Sequence, residues 1–301
     1  MRVVSLLASG TELVCALGAG DRLVGRSHEC DHPPWVRRLP AVSRPTFDCH
    51  GSSREIDERV RARLHAGQPL YEVDEAAIAR LAPDVLITQT HCEVCAVTPA
   101  DLAHGPGRLL RKEVVALRTG SLDAILEGFL EVAGVLELRS AGDALVARIR
   151  GGLAELADRT RGLARPTVVC LEWIDPAFPM GNWGPELVDL AGGTNVLGTP
   201  GAHSSAVAWT AVVEADPDVL VVAPCGFGLQ RAEAEMHLLG ERPGWRDLRA
   251  VRSGRVYVAD GNLYFNRSGP SLFETPLILA EILHPSLFAP AHRGVAWRAW
   301  P

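Results

Sequence analysis

The sequence predicts an α/β protein of two lobes with mostly parallel sheets, joined by a long helical backbone, with a ligand cleft between the lobes. Three observations predict it. The chain echoes itself at long range: TELVCALGAGDRLVG (11–25) returns as PELVDLAGGTNVLG (185–198), and LAPDVLIT (81–88) returns as ADPDVLVV (215–222), in the same order. Short apolar strands alternate with helical patterns, the signature of parallel sheets covered by helices. Between the echoes, residues 121–163 contain no proline and carry apolar side chains at helical spacing. The expected division is 1–120 for the first lobe, 121–165 for the connecting helices and 166–301 for the second lobe.

Taken in order, Val3 to Leu7 reads as a buried strand, and Ser9-Gly10-Thr11-Glu12 as a capping box that opens a helix. The apolar run ending in ITQT (87–90) reads as another strand. Leu122, Ile125, Leu126, Phe129 and Leu130, then Leu145, Ile149, Leu153 and Leu156, mark two helices with a break expected at Ser140 or Gly142. A helix from about 140 to 163 would be roughly 35 Å long. Pro166 then precedes a strand over Thr167–Leu171.

Open parallel sheets bind ligands beyond the carboxyl ends of their strands. Those ends hold SLLASG, GRSHECDHPP and ITQTHCEVCAV in the first half, and VCLEWIDPAFPMGNWGPE, VVAPCGFG and VADGNLYFNRSGP in the second. Most of the unusual chemistry of the chain sits in these six segments.

Composition narrows the function. The 301 residues, 47% hydrophobic, can bury large cores, and a net charge of -6 with pI near 5.9 argues against nucleic acid as the partner. No apolar run approaches the ~20 residues that cross a bilayer. A strand starting at Val3 leaves no room ahead of the fold for a secretion leader, so a cytoplasmic location is expected. There the seven cysteines, an odd number, read as thiols or ligands rather than a disulfide framework.

The sharpest local signal is Cys92-x-x-Cys95, with His91 and Glu93 beside it. With His28, Glu29 and Cys30 from the neighbouring strand end, it offers the nitrogen and thiolate set of a zinc or iron site, written as Cys30, Cys92, Cys95 and His28. With Cys225 it offers the four sulfurs of an iron–sulfur cluster. The bland alternative is small, half-buried cysteines with no ligand. Trp173, Phe178, Trp183, Phe227, Tyr264 and Phe265 fall at strand ends rather than at core spacing and suit a large planar ligand. Glu172 is a candidate ligand contact; with Asp175 it could also make an acid/base pair, but nothing distinguishes the two from loop acids. Arg267 pairs with a ligand carboxylate, amide or phosphate, or makes a surface ion pair. GxSxG, P-loop, GxGxxG and HExxH motifs are absent, which argues against an enzyme.

The order strand, SGTE helix, PDVLIT strand, long helix, PELVDLAGG, PDVLVV and SGRVYVADG is similar to the helical-backbone class of substrate-binding proteins, which serve ABC transporters for cobalamin, haem and iron–siderophores. The resemblance covers residues 1 to about 288 and is greatest to the cobalamin-binding branch, with SHECD and CEVCAV resembling marks of a subgroup without a signal peptide. It implies a non-catalytic binder of a small molecule, cobalamin or a related corrinoid, monomeric or weakly dimeric. The family carries one docking glutamate per lobe, seven residues before the proline of the PD strand. Here those positions are Ala76 and Thr210, so docking on a permease is doubtful and a cytoplasmic carrier or sensor is expected. Zinc or iron held by the cysteine cluster is the alternative, and an iron–sulfur redox protein the third.

Overall fold

The structure, a computed structural model, describes residues 1–90, 96–97, 113–118 and 120–301. It forms two compact units. One comprises Met1–Gly51, Glu55–Arg148 and Ser268–Pro270; the other comprises Ser52–Arg54, Ile149–Arg267 and Ser271–Pro301.

The first unit contains β1 (Val3–Ser5), α1 (Ala8–Ala16), β2 (Leu23–Arg26), β3 (Ser43–Pro45), the helix α2 (Ser53–His65) from Glu55 onward, β4 (Tyr71–Val73), α3 (Glu75–Leu81), β5 (Val85–Gln89) and β6 (Glu113–Leu117). Four strands make a parallel sheet in the order β2-β1-β5-β6, while β3 and β4 pair antiparallel. Val4, Leu6, Val42, Ile78, Leu86 and Val97 pack as one buried cluster. Helix α1 begins one residue ahead of the expected capping box, at Ala8, and its N-cap Leu7 makes no side-chain cap. Ser9, Thr11 and Glu12 are instead buried helical residues. The close seat of α1 explains Gly10, where a Cβ would come within 2.6 Å of Ile87 Cγ2 and 2.9 Å of Ser5 Oγ.

Two helices follow, α4 (Leu122–Val135), capped by Ser121 Oγ accepting from Ala124 N, and α5 (Arg139–Thr160). The break comes earlier than Ser140, at Leu136–Leu138, where Glu137 takes φ 59° and Arg22 Nη1 donates to Leu136 O. Gly142 serves packing rather than interruption, since a Cβ there would lie 2.5 Å from Ala133 Cβ.

The second unit has β7 (Thr167–Trp173), β8 (Phe178–Pro179), α6 (Gly184–Leu190), β9 (Thr194–Asn195), α7 (Trp209–Ala215), β10 (Val219–Val222), α8 (Leu229–Glu235), β11 (Val256–Ala259), α9 (Thr275–Leu283) and β12 (Trp297–Ala299). The sheet order is β12-β11-β10-β7-β8, with β9 parallel on β7. Strands β7, β10 and β11 are parallel, and Val168–Leu171 and Val219–Val222 are buried throughout, as strands covered on both faces should be. The antiparallel β12 covers the edge of β11. Its tail is held by the buried Glu281 carboxylate, which accepts from Trp297 Nε1 at 2.9 Å and bonds His292 Nδ1 at 2.7 Å.

The long-range echo has a structural content. Helices α3 and α7 both end in a left-handed residue, Ala82 (φ 44°) and Asp216 (φ 36°), followed by Pro-Asp. Asp84 Oδ2 accepts from Arg2 N at 2.7 Å, and Asp218 Oδ2 accepts from Thr167 N at 2.8 Å. Each aspartate thus ties the start of its own strand to the chain entering the neighbouring one. That bond, with help from the Thr167 hydroxyl and Arg249, holds the Asp218 carboxyl below the usual carboxylate range.

Candidate functional site

In the second unit, three strand ends build the candidate surface. Strand β7 delivers Glu172 and Trp173, both half-buried. Trp173 is fixed at its polar edge, where Nε1 donates to Ser53 O at 3.2 Å. Just beyond, the buried Asp175 carboxylate is held by Arg54 at 2.5 Å and by Arg242 at 2.6 Å. After β10 the chain turns through Pro224-Cys225-Gly226, and Gly226 takes φ 74°. Cys225 is half-buried, and its N–H donates to Glu172 O at 2.9 Å. Phe227 packs edge-on against Trp173, with centroids 5.2 Å apart at 64°. The Arg231 guanidinium lies over the Phe227 ring at 3.7 Å.

After β11 a π-helix spans Gly261–Phe265, capped by Asp260, whose Oδ1 accepts from Leu263 N. A glycine is required at its start, because a Cβ at Gly261 would fall 2.1 Å from Pro224 O. Asn262 N donates to Phe227 O at 3.1 Å, and Asn266 Nδ2 donates to Ala223 O at 2.7 Å, so the π-helix and the β10 turn are sewn together. Helical irregularities of this kind recur at functional sites.

The aromatic and arginine candidates separate into two roles. Phe265 is fully buried, Trp183 is buried with its Nε1 donating to Phe265 O, and Phe227 is 2% exposed. Arg267 is also buried and donates to Asn262 Oδ1 at 2.9 Å. These four hold the loops in shape. Trp173, Tyr264, Phe178, Glu172 and Cys225 keep accessible surface. The Tyr264 ring meets His292 edge-on at 6.4 Å. Sequence reasoning missed Arg231, whose signal was its place four residues after Phe227, and Asn262, which carried none.

In the first unit, His28 Nδ1 lies 2.9 Å from Ser43 Oγ, its ring 5.3 Å from Tyr71, and Nε2 3.3 Å from Glu29 Oε1. Cys30, 1% exposed, faces inward: Thr11 Oγ1 donates to its sulfur at 3.0 Å, and the thiol points to Ser5 O at 3.9 Å. The Cys30 thiol thus sits under α1, and the other expected ligands of a metal or cluster, Cys92 and Cys95, fall among the residues the structure does not describe. His91, Cys92, Glu93 and Cys95 lie outside the described residues. Among the described residues, no three His, Cys, Asp or Glu side chains converge as a metal site. No helix among them is long and apolar enough to cross a membrane. An open groove of about 750 Å³, lined by Arg165, Glu186, Asp189 and Asn195, lies by the amino end of β7, where no candidate residue sits.

The family model described as "Periplasmic binding protein" matches residues 3–263. An uncharacterized ABC transporter substrate-binding lipoprotein of Bacillus subtilis (strain 168) is 23% identical over 297 residues, which are 95% of this chain and 81% of that protein. The fold is similar to that of a periplasmic heme binding protein from Pseudomonas aeruginosa, with TM-score 0.72 and 24% identity over 95% of this chain and 93% of that one. It is also similar to the periplasmic vitamin B12 binding protein of Vibrio cholerae, with TM-score 0.68 and 19% identity over 95% and 97%. At these identities the solved structures show a shared fold. The expectation of a cytoplasmic protein is corrected by these relatives, which are periplasmic proteins and a lipoprotein. It rested on a strand close to Met1, and the position of a strand does not encode a compartment.

Proposed function

The chain belongs to the periplasmic binding protein family, and from that premise we propose that its ligand is a large planar metal chelate, a corrinoid in the first instance, laid against Trp173. The protein is of the ABC-transporter substrate-binding type, a group that binds rather than transforms its ligand. The observation that carries the ligand class is the Trp173 ring, half-exposed and anchored at its Nε1, with Phe227 behind it. A flat apolar face supported from the rear and fixed at its polar edge suits a macrocycle better than a bare ion, since an ion needs several converging ligands and a macrocycle supplies its own. Similarity in fold to proteins named for vitamin B12 and heme supports the same class.

Neither Ala76 on α3 nor Thr210 on α7 carries a charge, and both are exposed, so any docking on a permease would proceed without carboxylates at those positions.

The test is to purify the protein without a histidine tag, record its visible spectrum and its metal content, and titrate it with cobalamin. Corrinoid binding is expected, and Trp173→Ala should weaken it by about tenfold to a hundredfold, the loss of a large buried aromatic contact. Colourless protein with stoichiometric zinc, or brown protein with iron and sulfide, together with no response to cobalamin, would replace the corrinoid by a metal or a cluster.

A further inference from the structure

Glu235, at the end of α8, is a buried carboxylate that the ligand reading does not use. Burial penalises its charge, and the penalty is offset at one point. Its two oxygens accept from Ser53 N at 2.9 and 3.1 Å, and Ser53 opens α2, the end of a helix that favours an anion. The Ser53 hydroxyl is buried with no hydrogen-bond partner among the described residues, so Glu235 and not the serine side chain holds this backbone.

Ser53 in turn carries Trp173, because its carbonyl accepts from the indole Nε1 at 3.2 Å. The next residue repeats the tie. Arg54 pairs with Asp175 at 2.5 Å, and Arg242 holds the other oxygen of that carboxylate at 2.6 Å. All of these residues belong to the second unit. The ring that presents the flat face is therefore set by a short relay, from carboxylate to backbone N–H and from backbone carbonyl to indole.

We propose that Glu235 is a positioning residue for the planar ligand: its carboxylate fixes the backbone of Ser53 and, through it, the plane of Trp173 before the ligand arrives. The role rests on the reading of Trp173 as the ligand-facing ring. A ring already oriented saves the cost of ordering it on binding, so Glu235 acts on affinity only through the indole N–H. Plain capping of α2 would act on stability and would not depend on that N–H.

The test is a double-mutant cycle read by equilibrium dialysis against cobalamin and, separately, hemin. Trp173→Phe keeps a flat ring but has no N–H to donate. Glu235→Ala should weaken binding about threefold to tenfold when Trp173 is present, the cost of ordering one side chain, and less than about twofold in Trp173→Phe. Glu235→Gln keeps an oxygen acceptor and should retain most of the affinity. Glu235→Asp withdraws the carboxylate by one methylene, should resemble Glu235→Ala, and carries the test if that variant does not fold. The ligand-free protein gives an independent readout, the indole proton–nitrogen resonance of Trp173, identified by its absence in Trp173→Phe. It should shift and exchange faster in Glu235→Ala and return toward its place in Glu235→Gln. An unmoved resonance, or an equal loss of affinity with and without the indole N–H, overturns the proposal and leaves Glu235 a cap on α2. Wild-type protein that binds neither probe while the resonance still moves overturns the macrocycle reading and leaves the positioning of Trp173 in place.

Discussion

Individual side chains in this chain are sorted by whether their polar atom is committed inside the fold. Cys170 lies within β7, fully enclosed, and burial pushes its thiol up to about 12. Cys15 on α1 is raised to about 11, by burial first and then by the Glu12 carboxylate and the Cys30 thiol beside it. Cys225 is half-buried at a turn after β10. Because the thiolate is the nucleophile, alkylation of the native protein with iodoacetamide at pH 8 should label Cys225 well before Cys170 and Cys15, with site occupancy read by mass spectrometry. Labelling of Cys170 at the rate of Cys225 would show that β7 opens under native conditions. Much of this sorting was illegible beforehand. Cysteines at strand ends look alike in sequence, and what turns Cys30 inward is a hydroxyl nineteen residues away, Thr11, which reads as one member of a capping box. Likewise Trp173 ends a strand and Phe265 follows one, yet only Trp173 keeps an accessible face, because a π-helix that no periodicity announces folds Phe265 under.

At the scale of elements the sequence was a better guide, because what matters there is spacing. The echo of LAPDVLIT in ADPDVLVV was legible, and its cause is the shared turn in which a left-handed residue, a proline and an aspartate deliver the next strand. The long helix was legible from its apolar stripe and missing prolines, though not its true break, which lies at a glutamate in a left-handed conformation that no turn residue marks. Gly142 was misread for a physical reason: a glycine inside a helical pattern signals either an end or a close neighbour, and here the neighbour is Ala133. Two effects then compete in Gly142→Ala. Helix propensity favours alanine by about 1 kcal/mol. Against it, a Cβ 2.5 Å from the Ala133 Cβ has no flexible atom to displace, and overpacking of that kind costs about 1–3 kcal/mol. The variant should therefore unfold at lower urea concentration than the wild type. A higher midpoint would show that α4 and α5 separate at little cost.

For the whole molecule, acid stability is governed by groups whose charge the fold resists or favours, and two of them act in different pH windows. Asp218 has its carboxyl held low, so its contribution is present above the ordinary carboxylate range and is lost only as pH falls through the folded value, well into acid. His284 follows α9, 9% exposed, and burial lowers its pKa, with the backbone at Gly192 and Ala191 pulling the other way. A histidine whose folded pKa is depressed binds fewer protons in the native state than in the unfolded chain at mildly acid pH. Unfolding is then favoured as pH drops from about 6.5, the ordinary imidazole value, toward the folded pKa, and the penalty is absent above that window. Urea midpoints should accordingly fall between pH 7.5 and 5.5 in the wild type. In His284→Gln, which retains a polar side chain beside Gly192 but cannot gain a proton, the difference between the two pH values should shrink even if the variant is less stable at both. The slope rather than the midpoint is the readout, because a lost contact lowers stability equally at each pH whereas a lost titration changes only the dependence. An unchanged slope would mean that His284 is protonated in the native protein as readily as in the unfolded chain.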